Sequence, residues 1–324
     1  MEIQEIIRRF VQYLWIILSY FYINGRRKPK IVPVSVNYHF TRKCNYSCGF
    51  CFHTAKTSYV APMGDIRPAL RILKEKGMKK INLSGGEPFL YPELLGEICK
   101  YCKKDLKLES VSIVTNGSKV KESFFRKYGK FVDIIAVSVD SFNEETNIKI
   151  GRGAGNHLRQ LNLVSKWCES YNIKFKLNTV VNRFNHSEDM SQNIAVLNSF
   201  RWKCFQVLPV DTENIGGTAI RNCSEFLISN EEFRQFCKRH QHLSCFVPES
   251  NILMKSSYII LDEYLRFLSK GNVYKESTSI LLARDVDSLL QSTDFEHNMF
   301  VERGGVYDWS KDSSCNTLAE NLKW

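Results

Sequence analysis

The chain has 324 residues, of which 44% are hydrophobic, and it carries a formal net charge of +11 and 11 cysteines. This composition excludes a disordered chain and a small disulfide scaffold, and the odd number of scattered cysteines predicts free thiols in a reducing compartment. The positive charge favours an anionic partner, and it is compatible with a nucleic acid, a membrane surface or a phosphorylated small molecule.

The first 32 residues differ in composition from the rest and form the first of three predicted domains. Apolar residues recur at spacings of three and four from Ile3 to Phe21, which predicts a helix with one apolar stripe. The apolar stretch is shorter than the ~20 residues of a bilayer span, Trp15 suits the headgroup region, and "NGRRKPK" is basic. We interpret this segment as an amphipathic helix on a membrane surface. A short transmembrane span and a helix packed on the globular body are the alternatives.

Residues 33–211 alternate between strands and helices and form the second predicted domain. Six segments with strand character, from "VSVNYHF" to "WKCFQVLPV", are separated by stretches with helical periodicity and short connections. Such alternation predicts an α/β fold with a parallel sheet, whose ligands bind at the loops after the strands. Residues 212–324 are less regular and form a C-terminal extension, in which Ser229 and Glu232 make a capping box that begins a helix.

Three cysteines follow the first predicted strand. The stretch "CNYSCGFC" places Cys44, Cys48 and Cys51 within eight positions and offers no fourth cysteine nearby. A disulfide uses two thiols and a structural zinc site usually has four ligands, whereas three thiolates suit a [4Fe–4S] cluster with one open iron. A zinc site with a distant fourth ligand is the alternative. The pair Cys99 and Cys102 lies within a helical segment, and we interpret it as buried structural thiols.

The cysteine spacing C-x3-C-x2-C after one strand, with "GGEP" at 85–88 after the next, resembles the radical S-adenosylmethionine (SAM) superfamily. In that superfamily the open iron chelates the amino and carboxylate groups of SAM. The resemblance therefore implies a [4Fe–4S] cluster and SAM as cofactors. Glycines let a ligand approach the backbone closely, and polar side chains at the next strand ends would hold SAM, with Arg152 opposite a carboxylate. The predicted cofactor-binding residues are Gly85, Gly86, Glu87, Pro88, Asn116, Ser138, Asp140 and Arg152.

Longer stretches, among them "NYHFTRKCNYSCGFCFHTAKTS", "KINLSGGEPFL" and "VERGGVYDWSK", resemble the viperin family of antiviral enzymes. The resemblance covers residues 34–311 and implies a partial (βα)6 barrel whose C-terminal extension closes a nucleotide site. It implies conversion of CTP to 3′-deoxy-3′,4′-didehydro-CTP, in which a 5′-deoxyadenosyl radical removes the C4′ hydrogen. It also implies a location on the cytosolic face of the endoplasmic reticulum and lipid droplets, and recruitment of the cytosolic iron–sulfur assembly machinery by Trp324. No direct contact with nucleic acid is expected.

Basic residues within the predicted strands support an anionic substrate independently. Lys80, Lys176 and Lys203 occupy similar places in three strands, and buried cations are costly unless an anion meets them. A triphosphate is such an anion. The alternative is that these lysines extend to solvent and bind no ligand. The resemblance assigns Asn37 to the sugar and Tyr258 to catalysis near the substrate radical. The alternative for Tyr258 is a tyrosine of the core with a hydrogen-bonded hydroxyl. The predicted substrate-binding residues are Asn37, Lys80, Lys176, Asn178, Arg201, Lys203 and Arg303.

Two other functions compete with nucleotide dehydration. A radical SAM enzyme that acts on another phosphorylated metabolite would use the same cysteines and basic residues. A membrane-tethered adaptor with a structural cluster would need neither the "GGEP" turn nor basic residues directed into a barrel.

Overall fold

The computed structural model describes residues 30–268 and 278–311, together with Tyr13 and Trp15. The chain divides into two compact units, Met1–Ile31 and Val32–Trp324. In the first unit Tyr13 and Trp15 are helical and exposed, and the rest of the predicted membrane helix lies outside the described residues. Within the described residues no helix is long and apolar enough to cross a membrane.

The second unit contains an eight-stranded parallel sheet in the order β7-β6-β5-β4-β3-β2-β1-β8, which forms a half-barrel. The α/β prediction and its parallel sheet are confirmed. The strands are β1 (Ser35–His39), β2 (Lys80–Ser84), β3 (Ser110–Thr115), β4 (Ile134–Ser138), β5 (Lys174–Val181), β6 (Arg201–Gln206), β7 (Phe246–Glu249) and β8 (Ile259–Leu261).

Helices connect the strands, as the alternating pattern predicts. The α-helices of the described residues are α1 (Met63–Glu75), α2 (Pro92–Lys100), α3 (Glu122–Tyr128), α4 (Glu144–Ile150), α5 (His157–Ser170), α6 (Ser191–Leu197), α7 (Asn230–His240), α8 (Asn251–Lys255), α9 (Val286–Gln291) and α10 (His297–Glu302). The predicted capping box is present at the start of α7, where the Ser229 side chain and Glu232 bond each other's backbone N–H groups.

The sequence predicted six strands, and the sheet has two more. Both extra strands, β7 and β8, come from the predicted C-terminal extension and pair with β6 and β1 respectively. They have four and three residues, too few for a period-two pattern to identify them. Residues after 211 therefore complete the two edges of the sheet that the earlier strands begin.

The two faces of the sheet differ because side chains alternate along each strand. In β1, Val36 and Tyr38 are fully buried apolar side chains, whereas Ser35, Asn37 and His39 line an internal cavity. The same alternation in β2 directs Lys80, Asn82 and Ser84 to that cavity. The helices cover one face of the sheet, and the polar residues of the other face line the cavity inside the half-barrel.

Candidate active site

A cavity of about 660 Å³ lies inside the half-barrel. Many of the predicted site residues line this cavity, although they lie as many as 266 positions apart in the sequence. They are Asn37, Cys51, Lys80, Ser138, Asp140, Arg152, Lys176, Asn178, Lys203, Tyr258 and Arg303. The strands are parallel, so their beginnings lie at one end of the cavity and their carboxyl ends at the other. In β2 Asn82 lies two residues after Lys80, and in β5 Asn178 lies two residues after Lys176, in both cases toward the carboxyl end.

The cysteine loop, residues 42–58, follows β1 at the carboxyl ends of the strands. Cys44 is exposed, Cys48 is buried and Cys51 is half-buried, and all three are free thiols. The loop is fixed by backbone hydrogen bonds to the end of α4: the N–H of Ser47 donates to Gly151 O at 3.1 Å, and that of Gly49 to Ile150 O at 3.0 Å. These contacts hold the loop beside the Arg152 side of the cavity.

Burial and mutual proximity govern the charges of these thiols. Burial raises the pKa of Cys48 to about 12, and the Arg152 guanidinium partly opposes the rise. The pKa values of Cys44 and Cys51 are also raised, chiefly by burial, and Arg152 again acts in the opposite direction. Thiolates bind metal and thiols do not, so iron would displace these protons, and the neighbouring cation favours that step.

The donor set fits an iron–sulfur cluster better than a single metal ion. Among the described residues no group of three or more His, Cys, Asp or Glu side chains is placed to hold one ion. In a [4Fe–4S] cluster each thiolate binds a different iron, so the three sulfur atoms need not converge on one point. Cys44, Cys48 and Cys51 are close enough to influence one another's pKa, lie on one loop, and are the residues that would hold the cluster. The alternative of a zinc ion with a distant fourth ligand has no such group among those residues.

The "GGEP" turn supports the cysteine loop, a role that the sequence did not predict. Its glycines were expected to admit a ligand, but a side chain at Gly86 would lie 2.2 Å from the carbonyl oxygen of Lys43, and one at Gly85 2.3 Å from that of Thr41. The Gly86 N–H donates to the Thr41 carbonyl at 2.7 Å, and the Glu87 N–H donates to the Lys43 carbonyl at 2.9 Å. The absent side chains therefore let two backbone segments meet. Contact of this turn with SAM stays a prediction.

Glu87 is fully buried and does not line the cavity. Its carboxylate accepts hydrogen bonds from the Thr115 hydroxyl and the Asn116 N–H, both at 2.7 Å, and from the Phe89 N–H at 2.9 Å. Pro88 begins a single 3-10 turn directly after it. In this structure Glu87 and Pro88 tie the turn to the end of β3, which in turn places the Asn116 amide near Cys44.

Asp140 and Arg152 form an ion pair at the cofactor side of the cavity. Asp140 is fully buried, accepts a hydrogen bond from the Val180 N–H at 2.9 Å, and pairs with Nε of Arg152. Ser138 lines the cavity two residues before Asp140. Arg152 was predicted to oppose a carboxylate of SAM. The structure shows that an internal carboxylate already holds its Nε edge, which orients the guanidinium.

Five basic side chains gather near the beginnings of the strands. Burial lowers the pKa of Lys80 well below its usual value, and the charges of the other four lower it further. Burial likewise lowers the pKa of Lys176 to about 7. Lys80 and Lys203 are buried, so these two lysines do not extend to solvent, which was the alternative considered above. The five are Lys80, Lys176, Arg201, Lys203 and Arg303.

Two residues that sequence reasoning missed hold these cations. The Lys80 ammonium donates to the Tyr307 hydroxyl at 2.6 Å, and the guanidinium of Arg201 lies 4.3 Å from the centre of the Tyr307 ring. Glu249 is fully buried and forms ion pairs with Lys203 and with Arg303, the latter at 3.5 Å. No local pattern marks Glu249, but the period-two alternation of polar residues in β1 and β2 could have identified His39, Asn82 and Ser84 as cavity residues.

Tyr258 belongs to the same cluster. Its hydroxyl donates to Glu249, and the guanidinium carbon of Arg303 lies 3.9 Å from the centre of its ring. Arg303 is itself fixed by two hydrogen bonds to the carbonyl oxygen of Ser257, at 3.1 and 3.2 Å. Tyr258 thus lines the cavity, and its hydroxyl is hydrogen-bonded to Glu249.

Comparison with known proteins agrees with this arrangement. The radical SAM superfamily profile matches residues 38–191. The S-adenosylmethionine-dependent nucleotide dehydratase RSAD2 of Danio rerio is 51% identical over 291 residues, which cover 89% of this chain and 81% of that protein. An S-adenosylmethionine-dependent nucleotide dehydratase of a Thermoplasmatales archaeon is 34% identical over 85% of this chain and 96% of its own. SuiB of Streptococcus suis, solved with S-adenosylmethionine, gives a TM-score of 0.63 at 15% identity over 83% of this chain and 67% of its own.

The profile match runs from β1 through β5 and includes the cysteine loop, so the fold and the loop are those of a radical SAM enzyme, whose cofactors are a [4Fe–4S] cluster and SAM. The relatives extend the agreement into the C-terminal extension. The chain belongs to the family of S-adenosylmethionine-dependent nucleotide dehydratases, which confirms its resemblance to the viperin family.

Proposed function

We propose that this protein dehydrates CTP to 3′-deoxy-3′,4′-didehydro-CTP. The observation that carries the proposal is the arrangement of charge along one cavity. Four of the five basic side chains near the strand beginnings line the cavity, Lys80, Lys176, Lys203 and Arg303, with Arg201 beside Lys176 in the sheet, and the cysteine loop lies beyond the strand ends. A nucleoside triphosphate whose phosphates contact the basic side chains would extend its sugar toward the cofactor side. The relatives act on nucleotides, as their names state.

The amides between these two ends suit a ribose. Asn37, Asn82 and Asn178 line the cavity, and the Oδ1 atom of Asn178 is buried without a hydrogen-bond partner among the described residues. A buried acceptor without a partner costs free energy, which a donor on a ligand would recover. A sugar hydroxyl is such a donor, and Asn178 stands two residues beyond Lys176 toward the carboxyl ends.

When bound, the cluster and SAM supply the 5′-deoxyadenosyl radical for removal of the C4′ hydrogen of the nucleotide. The chain's own contribution is to fix the triphosphate, orient the ribose and exclude water from the reacting carbon. Tyr258 is the catalytic candidate, because it lines the cavity and its hydroxyl is oriented by Glu249. The 3′-hydroxyl leaves with a proton as water, and one electron from the reductant then reduces the remaining substrate radical, which makes the overall reaction a dehydration.

The test is anaerobic reconstitution with iron and sulfide, followed by incubation with SAM, a reductant and one substrate at a time. CTP, UTP, GTP and isoprenoid diphosphates are compared, and products are identified by mass. We expect a product lighter than its substrate by one water from CTP, in amounts that exceed those from the other substrates. Turnover of an isoprenoid phosphate, with none of CTP, would assign the protein to another radical SAM reaction. SAM cleavage without turnover of any of them would contradict the proposal as well.

We propose further that the protein acts in antiviral defence on the cytosolic face of the endoplasmic reticulum and lipid droplets. Support comes from the amphipathic sequence of the first 32 residues and the basic stretch that follows it. The linker "NGRRKPK" separates this segment from β1. Deletion of residues 1–32 should therefore leave CTP turnover in vitro nearly unchanged and release the protein from membranes. A deletion variant that fails to fold would show that the segment packs on the body instead.

Trp324 is the proposed contact with the cytosolic iron–sulfur assembly machinery. A terminal aromatic residue after a polar segment is a good anchor for a pocket on a partner. Deletion of Trp324 should lower cluster occupancy in cells and leave the chemically reconstituted enzyme active. Arg303→Ala should instead keep its cluster and raise the KM for CTP. A reconstituted Trp324 deletion as inactive as Arg303→Ala would mean that both residues serve catalysis.

A further inference from the structure

Glu249 is an acidic residue at the centre of the phosphate-binding cations. It ends β7, one strand beyond β6, which carries Lys203. Its side chain is fully buried, pairs with Lys203 and Arg303, and accepts a hydrogen bond from the Tyr258 hydroxyl. Glu249 does not itself line the cavity but contacts three residues that do, Lys203, Arg303 and Tyr258. Among the described residues it is the carboxylate that pairs with these cations, since the carboxylate that lines the cavity, Asp140, pairs with Arg152.

The charge state of Glu249 follows from its neighbours. Burial alone would raise its pKa, but the charges of Lys203 and Arg303 more than offset burial and hold the pKa below its usual value. The carboxylate is therefore ionised at neutral pH. In the complex, where a bound triphosphate keeps the five basic side chains protonated, the Glu249 carboxylate reduces their summed charge from +5 to +4. A fully ionised triphosphate carries about four negative charges, so the two are matched.

Glu249 competes with a phosphate for two of its ligands. Lys203 and Arg303 have limited numbers of N–H donors, and those spent on the carboxylate are not available to a phosphate oxygen. The carboxylate also repels the phosphates directly. Both effects weaken nucleotide binding, and they weaken binding of the product equally, because substrate and product carry the same triphosphate.

We propose that Glu249 is a positioning residue with two roles in the proposed nucleotide dehydration: it competes with the triphosphate for Lys203 and Arg303, and it orients the Tyr258 hydroxyl. The first role depends on the negative charge, because a neutral amide oxygen accepts weaker hydrogen bonds from the two cations and does not repel a phosphate. The second role depends on the length of the side chain. This inference rests on the proposed function, since it takes a triphosphate as the ligand. The competition permits release of a product that the five cations would otherwise retain.

The two roles separate in two variants. Glu249→Gln keeps the shape and removes the charge, so CTP should bind about tenfold more tightly, the effect of one lost repulsive contact. Glu249→Asp keeps the charge and shortens the side chain, so the Kd of CTP should stay within about threefold of the wild type. Turnover should fall about tenfold or more in Glu249→Asp, because Tyr258 is displaced. Binding is measured by equilibrium dialysis with reconstituted enzyme and CTP in the absence of SAM.

A double-mutant cycle tests the second role. In a Tyr258→Phe background the hydroxyl is absent, so Glu249→Asp should have little further effect on the rate of CTP-dependent SAM cleavage. Asp133→Asn is the matched control, because Asp133 is also a fully buried carboxylate that pairs with a lysine, but that lysine, Lys103, is not among the residues that line the cavity. It should leave the Kd of CTP unchanged. Melting temperature and cluster absorbance of each variant report on folding.

The inference is overturned if Glu249→Gln, folded and with a full cluster, binds CTP as weakly as the wild type or more weakly. It is also overturned if Glu249→Asp lowers turnover equally with and without the Tyr258 hydroxyl. If Glu249→Gln does not fold, the Glu249→Asp cycle alone decides the second role, and a Kd raised well beyond threefold in Glu249→Asp refutes the first. Wild-type enzyme that fails to convert CTP would refute the proposed function instead, so the two failures are distinct.

Discussion

Nucleotide binding should take up protons, because the empty site cannot keep all of its cations charged. In the free enzyme burial lowers the pKa of Lys176 to about 7, and the charge of Arg201 contributes to the same shift. A triphosphate beside Lys176 favours the ammonium form and raises that pKa in the complex. Above pH 7 the free enzyme has lost a proton that the complex retains, so the Kd of CTP should increase with pH.

The size of the effect follows from linkage. Well above the free-enzyme pKa, one proton taken up on binding makes the Kd increase about tenfold per pH unit. Because Lys176 is half deprotonated at pH 7, the increase between pH 7 and pH 9 is about 50-fold. The phosphates of CTP are fully ionised throughout this range, since the last phosphate pKa is about 6, and contribute no opposing slope. Lys80, whose pKa is also lowered, adds to the uptake. Below pH 6 Lys176 is protonated in both states, and its contribution disappears.

The assay is equilibrium dialysis of CTP against reconstituted enzyme without SAM, from pH 6 to pH 9. Calorimetry in buffers with different ionisation enthalpies measures the protons taken up. Lys176→Arg is the control, because a guanidinium stays charged and should make the profile less steep by about one proton. Equal slopes for Lys176→Arg and the wild type, or a Kd independent of pH above 7, would refute this explanation.

Three further predictions concern the cysteine loop, the "GGEP" turn and Tyr307. Cys44→Ala, Cys48→Ala and Cys51→Ala should each abolish the cluster absorbance, whereas Cys99→Ala should retain it. Equal loss of absorbance in Cys99→Ala would contradict the ligand assignment. Gly86→Ala should lower both melting temperature and cluster loading, because the added methyl meets the Lys43 carbonyl, and normal loading would show that the loop adapts. Tyr307→Phe should raise the Kd of CTP a few-fold and Tyr307→Leu about tenfold, since the ring carries two cation contacts; a larger effect of Tyr307→Phe would assign the main role to the hydroxyl.

Local sequence determined the elements that repeat or that share a short motif. Alternating periods of two and 3.6 predicted the α/β fold and the first six strands, because amphipathic faces must be buried on one side. The spacing of Cys44, Cys48 and Cys51 predicted an iron–sulfur cluster, because cluster ligands from one loop must be close in sequence. Together with the "GGEP" turn it carried the resemblance that implied SAM. Lysines in otherwise apolar strands predicted an anionic ligand, because such cations are costly without one.

The contacts between distant segments were decided by the tertiary structure alone. Parallel strands pair across long connections, so Glu249 meets Lys203 over 46 positions and Tyr307 meets Lys80 over 227. Neither partner carries a local signal, since a glutamate at the end of a four-residue strand reads like any surface glutamate. The glycines at 85 and 86 predicted a close approach to the backbone, but the sequence does not show which neighbour fills that space. That neighbour, the backbone of the cysteine loop, is set by how β1 and β2 pair.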